Sequence, residues 1–226
     1  MMSYLLLFLS GILSALPYLN GYLFFLPYFT FAPLFIAAKR KKSAYRHGLC
    51  FSMGYFLVVF HWFIRLYPLD FAGLNKSASV AVVAVAWLGM SVLQSVGTAL
   101  VPFVFRRITK DRNELFAPFA LASLWVIAEW GQNFFWFGVP WARLAIGQHK
   151  ILPIVQGASL IGSLGISFII VLISGFIAIA YDRLISKNSI KDIGKYKSVI
   201  LSLSVFIKRS ITTAVTIIVE KTDVLL

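Results

Sequence analysis

The densest group of chemically capable side chains in this sequence lies in one short aromatic segment. It combines one acid and one fixed positive charge with three of the six tryptophans, namely Glu129, Arg143, Trp130, Trp136 and Trp141. Arginine binds phosphate through charge-assisted hydrogen bonds, and indole rings offer flat apolar surfaces to acyl chains. The segment therefore indicates a lipid-facing groove. The competing interpretation is an aromatic belt, because tryptophan favours the headgroup level of a bilayer.

Glu129 closes a long apolar run, where an ionisable side chain is costly unless it is paired or hydrated. It can pair with Arg143 for folding alone, or both residues can serve a ligand. His61 ends another apolar run, and without a matching Ser and Asp it does not indicate a hydrolase triad. The candidate substrate- or lipid-binding residues are Trp141, Glu129, Trp130, Trp136, Pro140, Arg143 and His61.

Cys50 is the only cysteine, which excludes an internal disulfide framework and a multi-cysteine metal site. A nucleophilic thiol needs a nearby base or cation, and Arg46 and His47 are close in sequence. A buried, inert thiol is the favoured interpretation. The sequence has no phosphate-binding loop and no dinucleotide fingerprint. We therefore predict no catalytic residue, metal or cofactor within these residues.

The composition determines which elements must position these side chains. Of 226 residues, 60% are hydrophobic and only 13% are charged, and the first 38 residues carry no charged side chain. Soluble domains are about one-quarter charged, so a water-soluble globular fold is excluded. The net charge of +13 does not indicate nucleic acid as a partner, because the basic residues cluster between apolar runs. The sequence predicts an all-α integral membrane protein.

Apolar runs of sufficient length predict a bundle of six transmembrane helices. We place them at about 4–18, 22–38, 48–66, 78–104, 114–130 and 159–181, with 151–158 at the membrane interface. Pro17, Asn20 and Gly21 favour a turn between the first two, and Pro27 and Pro33 should kink the second. Ala158, Gly162 and Gly165 form a small-residue stripe, which predicts close approach of another helix, and Gly48 and Gly54 of the third span predict the same.

The placement of the basic residues predicts the orientation. Fourteen Lys and Arg residues fall in three loops, around 39–46, 106–112 and 183–197, and four fall in the opposite segments. This asymmetry predicts a multi-pass protein of the bacterial cytoplasmic membrane with a cytoplasmic N-terminus. The domain prediction is a membrane domain over 1–185, followed over 186–226 by a basic loop and a doubtful seventh span. Lys208 and Arg209 lie at the centre of that span, where charge is costly.

The order of several motifs resembles the N-terminal membrane domain of the apolipoprotein N-acyltransferase family over roughly residues 5–185. The resemblance rests on three groups of residues: Gly48 to Phe56 with His61-Trp62; Leu124 to Trp130 with Phe137 to Trp141; and Gly147-Gln148, Pro153 to Gln156 and Gly165 to Phe168. The stretch from Glu129-Trp130 to Pro140-Trp141 is its most specific part. One departure is Gln132, where many members of the family carry arginine.

The resemblance implies a function. The family transfers an acyl chain from a membrane phospholipid to the α-amino group of a lipoprotein's N-terminal, diacylglyceryl-modified cysteine. The reaction passes through a thioester on a cysteine that, with a glutamate and a lysine, belongs to a nitrilase-like domain facing away from the cytoplasm. The resemblance gives Trp141 a substrate-side role, and it implies phospholipid and a lipoprotein N-terminus as partners.

The resemblance also exposes a departure in length. No nitrilase-like sequence follows residue 220, and Cys50 is predicted on the cytoplasmic side. We therefore expect a membrane domain that is inactive alone, from a truncated or frameshifted gene. One alternative is a stand-alone membrane subunit that docks a separate catalytic domain. Another is a small-solute transporter, for which Gln94, near mid-span in the fourth helix, is the modest candidate.

Overall fold

The computed structural model describes residues 2–40, 43–134 and 139–185, and it is all-helical over these ranges. The helices are α1 (Met2–Ala15), α2 (Pro27–Thr30), α3 (Ala32–Arg40), α4 (Ala44–Val59), α5 (Lys76–Thr98), α6 (Leu100–Thr109), α7 (Phe116–Gly131) and α8 (Leu152–Ile185). Short 3-10 turns cover Leu16–Tyr18, Gly21–Leu23, Phe60–Leu66, Asp70–Ala72, Pro140–Ala142 and Leu144–Gln148. Met1–Asp182 forms one compact unit, and the predicted seventh span lies outside the described residues.

Three helical stretches in the described ranges are long and apolar enough to cross a membrane. They are Ala44–Leu66, Lys76–Thr109 and Leu152–Arg183, and they correspond to the third, fourth and sixth predicted spans. The first and fifth predicted spans correspond to shorter apolar helices, Tyr4–Tyr18 and Phe116–Gly131. The structure thus agrees with an all-α protein that has membrane-spanning helices, and the count of six spans stays a prediction.

The second predicted span is wrong as a continuous helix. Residues 22–38 are divided among a 3-10 turn, the one-turn helix α2 and helix α3. Pro27 occupies the first position of α2 and Pro33 lies in the first turn of α3. Proline is tolerated in the first turn of a helix because a backbone N–H there has no preceding helical turn to donate to, so its absence removes no hydrogen bond. The predicted kinks are therefore helix starts.

Glycines set the closest helix contacts, as predicted for Gly54 but not for the stripe in α8. A Cβ atom on Gly11 would strike the Phe51 carbonyl of α4, and one on Gly54 would strike the Phe8 carbonyl of α1. By contrast, Gly162 has φ 70° and open space around its Cα, so it breaks α8 instead of admitting a helix. The close contact predicted at the stripe from Ala158 to Gly165 is wrong at Gly162.

The bundle has two chemically distinct ends. At the first, Lys39 Nζ pairs with Glu114 Oε1 at 3.0 Å and Arg40 Nη2 pairs with Asp182 Oδ1 at 2.9 Å. These two ion pairs join the end of α3 to the start of α7 and to α8, and we call this the basic end. Helix α4 leads away from it toward Trp62. The opposite end holds Trp62 and the loop of residues 139–149, and we call it the aromatic end.

Candidate lipid-binding site

The backbone of the 139–149 loop is held by side chains from three helical segments. The Tyr55 hydroxyl of α4 donates to the Ala142 carbonyl at 2.9 Å, and the Tyr18 hydroxyl donates to the Arg143 carbonyl. The Leu144 N–H donates to Glu129 Oε1 of α7 at 3.0 Å. Three consecutive residues of an irregular loop are thus hydrogen-bonded to the bundle. Such bonds are required wherever non-helical backbone is removed from water.

Glu129 is the centre of this arrangement. Its side chain is 2% exposed, and the same Oε1 also accepts a hydrogen bond from Trp125 Nε1 at 2.9 Å. Trp125 lies one helical turn earlier on α7 and packs edge-on against Phe31 and Tyr55. A carboxylate that serves two buried donors links the aromatic core to the loop. Trp125 and Leu144 therefore determine the position of the Glu129 carboxylate, because a buried carboxylate without partners would be strongly unfavourable.

Gln148 holds the other end of the loop against residues 16–30, the segment that follows α1, which we call the first hairpin. Its side chain is fully buried, its Nε2 donates to the Phe24 carbonyl at 3.0 Å, and its Oε1 accepts from the Tyr28 hydroxyl at 3.3 Å. The adjacent Gly147 lies so close to Pro17 that a Cβ would come within 2.8 Å of the proline ring. Loop and hairpin are therefore fixed to one another by both polar and steric contacts.

The held loop presents Trp141 to the surface. Trp141 remains 45% exposed, and its ring lies 5.1 Å from the ring of Trp62 and 6.4 Å from that of Phe63. Trp62 and Phe63 stack at 4.4 Å. We call these three rings the aromatic platform. The platform is an apolar surface whose position is set by a rigid loop on one side and by the end of α4 on the other.

Arg143 lies beside the platform, and its guanidinium does not form an ion pair with Glu129. Its Nη1 donates to Ser163 Oγ at 2.9 Å and its Nη2 donates to Asn133 Oδ1 at 3.0 Å. Within the described residues, the buried side-chain atoms without a hydrogen-bond partner are Glu129 Oε2, Gln132 Oε1, Arg143 Nε and Ser174 Oγ. The Arg143 Nε donor is therefore available to a polar ligand group, since buried polar groups are normally satisfied.

The remaining predicted residues are more dispersed. Trp130 packs against Phe134 at 4.3 Å and both rings are exposed, so they form a separate aromatic pair. Trp136 lies outside the described residues. His61 is half-buried and its Nδ1 contacts the Val58 carbonyl of its own helical segment at 2.8 Å, and Pro140 begins the turn that carries Trp141. The structure thus brings together Glu129, Pro140, Trp141 and Arg143.

Several residues of the site were missed by sequence reasoning. Tyr18, Tyr55 and Gln148 come from distant parts of the chain, and nothing in their local pattern marks them as loop anchors. Trp62 and Phe63 had a usable signal, because two adjacent aromatic residues follow His61 at the end of an apolar run. The sequence could therefore have marked Trp62 and Phe63 as candidates, although it could not have shown their contact with Trp141.

Apolar helices of spanning length indicate a membrane protein with an aromatic surface at one end. Residues 10–176 match the sequence model of the apolipoprotein N-acyltransferase N-terminal domain. The chain therefore belongs to this family.

Curated relatives agree with this assignment. The apolipoprotein N-acyltransferase of Geobacter metallireducens is 32% identical over 173 residues, which cover 75% of this chain and 32% of that protein. The Shewanella oneidensis protein of the same name is 30% identical over 167 residues, which cover 73% and 29% respectively. The one from Rickettsia typhi is 27% identical over 191 residues. The match thus covers about a third of the length of these relatives.

Proposed function

We propose that this chain is the membrane domain of an apolipoprotein N-acyltransferase and that its aromatic end binds the acyl chains of phospholipid and lipoprotein substrates. The observation that carries the proposal is the aromatic platform on a loop with buried hydrogen bonds at Ala142, Arg143 and Leu144. A rigid support lowers the entropic cost of ordering a binding surface. The names of the relatives supply the reaction class, namely acyl transfer to an apolipoprotein.

The proposed roles follow from the position of each side chain. Trp141 packs an acyl chain against Trp62, because two edge-on indoles form an apolar wall that remains open on one side. Arg143 contacts a headgroup phosphate, and its buried Nε is the donor without a partner that such a group would satisfy. Glu129 is a positioning residue, since its Oε1 holds the loop at Leu144 and accepts from Trp125.

The orientation proposed from sequence fits this assignment. The aromatic end would face away from the cytoplasm, with the N-terminus and the basic end on the cytoplasmic side of the bacterial cytoplasmic membrane. The ion pairs Lys39–Glu114 and Arg40–Asp182 support this orientation, because they join the first basic segment to residues that border the other two, at one end of the bundle. Cys50 is half-buried in α4, nearer the start of that helix than Trp62 is.

We further propose that residues 1–226 on their own bind substrate and do not transfer it. Their only thiol is Cys50, and no other cysteine is available to form a thioester. In cells lacking any other enzyme of this activity, mass spectrometry of a lipoprotein N-terminus should find diacylated and no N-acylated product when only this chain is expressed. Detection of the N-acylated product would overturn this part of the proposal.

The binding role is tested with a synthetic diacylglyceryl lipopeptide and the purified chain in detergent. We expect Trp141→Ala to weaken lipopeptide binding about tenfold or more, since burying a large apolar side chain contributes about 1.5–3 kcal/mol. Phe116→Ala is the matched control, because Phe116 has a similar exposure of 44% and begins α7, whereas Trp141 lies beyond the other end of that helix. Equal losses from both variants would contradict a specific platform.

The same preparation separates the alternatives. A stand-alone subunit would co-purify with a separately encoded nitrilase-like protein and would acylate only in its presence. A transporter would accumulate solute in proteoliposomes, and Gln94→Ala would abolish uptake. Gln94 is half-buried in α5, which is one uninterrupted helix. Midplane substrate sites of transporters are typically formed by interrupted helices. Substrate binding that depends on Trp141 is expected from the membrane-domain and subunit functions alone.

A further inference from the structure

A second apolar surface lies at the basic end of the bundle, away from the aromatic platform. A cleft of about 550 Å³ opens between α1, α3 and α8. Its walls are apolar and include Leu7, Ile36, Ala37 and Ile177, and its polar lining residues are Arg40 and Tyr181. We call this the α3 cleft. Its volume falls within the range of about 300–1,000 Å³ that is usual for small-molecule sites.

The dimensions of the α3 cleft fit one acyl chain of one leaflet. Within α3 its lining runs from Ala32 to Arg40, eight positions and about 12 Å at helical rise, and Phe29 of α2 adds to it before the start of α3. Half of a hydrocarbon core of about 30 Å is about 15 Å. A lipid tail lying along α3 would therefore run from the headgroup level at Arg40 toward the middle of the bilayer.

The charge at the mouth of the cleft selects the headgroup. Arg40 is held by Asp182, which accepts one hydrogen bond from Nη2 at 2.9 Å, and the Arg40 side chain is still 56% exposed. The guanidinium therefore keeps donors for a phosphate while its position is fixed. Lys41 and Lys42 follow it directly in sequence, so basic residues outnumber acidic ones in this segment. The exposed Tyr181 is of the type enriched at membrane interfaces.

From this combination we infer that the α3 cleft binds an anionic phospholipid of the leaflet at the basic end, with its phosphate on Arg40 and one acyl chain along α3. This lipid is separate from the substrates proposed for the aromatic end. It would act as a bound structural lipid, because it contacts α1, α3 and α8 and so adds to the ion pair of Arg40 with Asp182, which joins α3 to α8. Its expected headgroup is an anionic one such as phosphatidylglycerol, since a zwitterionic headgroup brings a second positive charge toward Arg40.

Native mass spectrometry of the purified chain titrated with phosphatidylglycerol or phosphatidylcholine tests the headgroup. We expect phosphatidylglycerol to bind about fivefold more tightly, and Arg40→Gln to remove that preference, as one basic residue near a membrane surface contributes about this factor. Arg46→Gln is the control, because Arg46 is an exposed arginine near the start of α4 that does not line the cleft. Equal affinities for the two lipids would overturn the inference, as would an equal effect of both substitutions.

A second measurement identifies the occupant of the cleft. With a photoreactive p-benzoylphenylalanine in place of Ile36, illumination in membranes should yield an adduct with the mass of a phospholipid. A peptide adduct would show that protein covers the α3 cleft and would overturn the inference. Ala37→Leu narrows the cleft, and it should lower binding of both lipids while the chain remains monodisperse. Undiminished binding by a folded Ala37→Leu protein would also overturn it.

Discussion

The two ends of the bundle stabilise their polar groups by different kinds of contact. At the basic end, charges on different helices pair with one another at partly exposed positions, as Lys39 does with Glu114. At the aromatic end, buried side chains satisfy the backbone of a loop, as Glu129 does for Leu144. Exposed ion pairs contribute little to stability, whereas a buried donor left without an acceptor is costly. Substitutions at the two ends should therefore differ sharply in effect.

The largest effect is expected from Glu129→Ala. It leaves the Trp125 indole N–H and the Leu144 backbone N–H without their acceptor in the buried core. At about 1–3 kcal/mol for each unsatisfied group, the free energy of unfolding should fall by roughly 2–5 kcal/mol. Thermal unfolding in detergent, followed by tryptophan fluorescence, measures the loss.

Glu129→Gln is the matched control for this substitution. Its amide oxygen can accept both hydrogen bonds, so the variant should keep most of the stability lost in Glu129→Ala. Equal destabilisation by the two variants would show that the negative charge, and not the acceptor, holds the loop.

A smaller effect is expected from Tyr55→Phe. The substitution removes one hydroxyl and leaves the Ala142 carbonyl without its donor, while the aromatic packing against Trp125 is retained. We expect a loss of about 1–2 kcal/mol and weaker lipopeptide binding, because the loop that carries Trp141 becomes mobile. Tyr45→Phe should change neither, since the Tyr45 hydroxyl makes only a long bond of 3.4 Å to Val96. An unaltered Tyr55→Phe protein would contradict the role assigned to the loop bonds.

The smallest effect is expected at the basic end. Lys39→Gln breaks the ion pair with Glu114, whose two side chains are 28% and 31% exposed. Pairs of this kind contribute about 0–1 kcal/mol, so the melting temperature should fall by no more than a few degrees. If Lys39→Gln is as destabilising as Glu129→Ala, the contrast between the two ends does not hold.

The same contrast explains how much could be predicted from sequence. Membrane-spanning helices and the choice of Glu129 and Trp141 as candidate residues follow from local composition, because a charge or an indole beside an apolar run is visible in one short segment. The partners of these residues do not follow. Tyr18 and Arg143 are 125 positions apart, and their contact depends on how α1 and α4 pack at Gly11 and Gly54.

Backbone geometry was the second limit of the sequence reasoning. The pattern of Ala158, Gly162 and Gly165 is the same for a helix contact and for a helix break, and only the φ of 70° at Gly162 distinguishes them. Pro27 and Pro33 likewise fit both a kinked span and separate helix starts. In each case the residue type was correctly identified as special, and tertiary packing decided between two local conformations.

The central claim, that lipid substrates bind on the aromatic platform, is tested most directly by ¹⁹F NMR of the chain labelled with 5-fluorotryptophan. The signals of Trp62 and Trp141, assigned from Trp62→Phe and Trp141→Phe variants, should shift when the diacylglyceryl lipopeptide is added. Those of Trp125, which is buried in the core, and Trp87, which donates to the Leu57 carbonyl, should not. Shifts confined to Trp87 or Trp125, or saturable binding that leaves Trp62 and Trp141 unchanged, would contradict the claim.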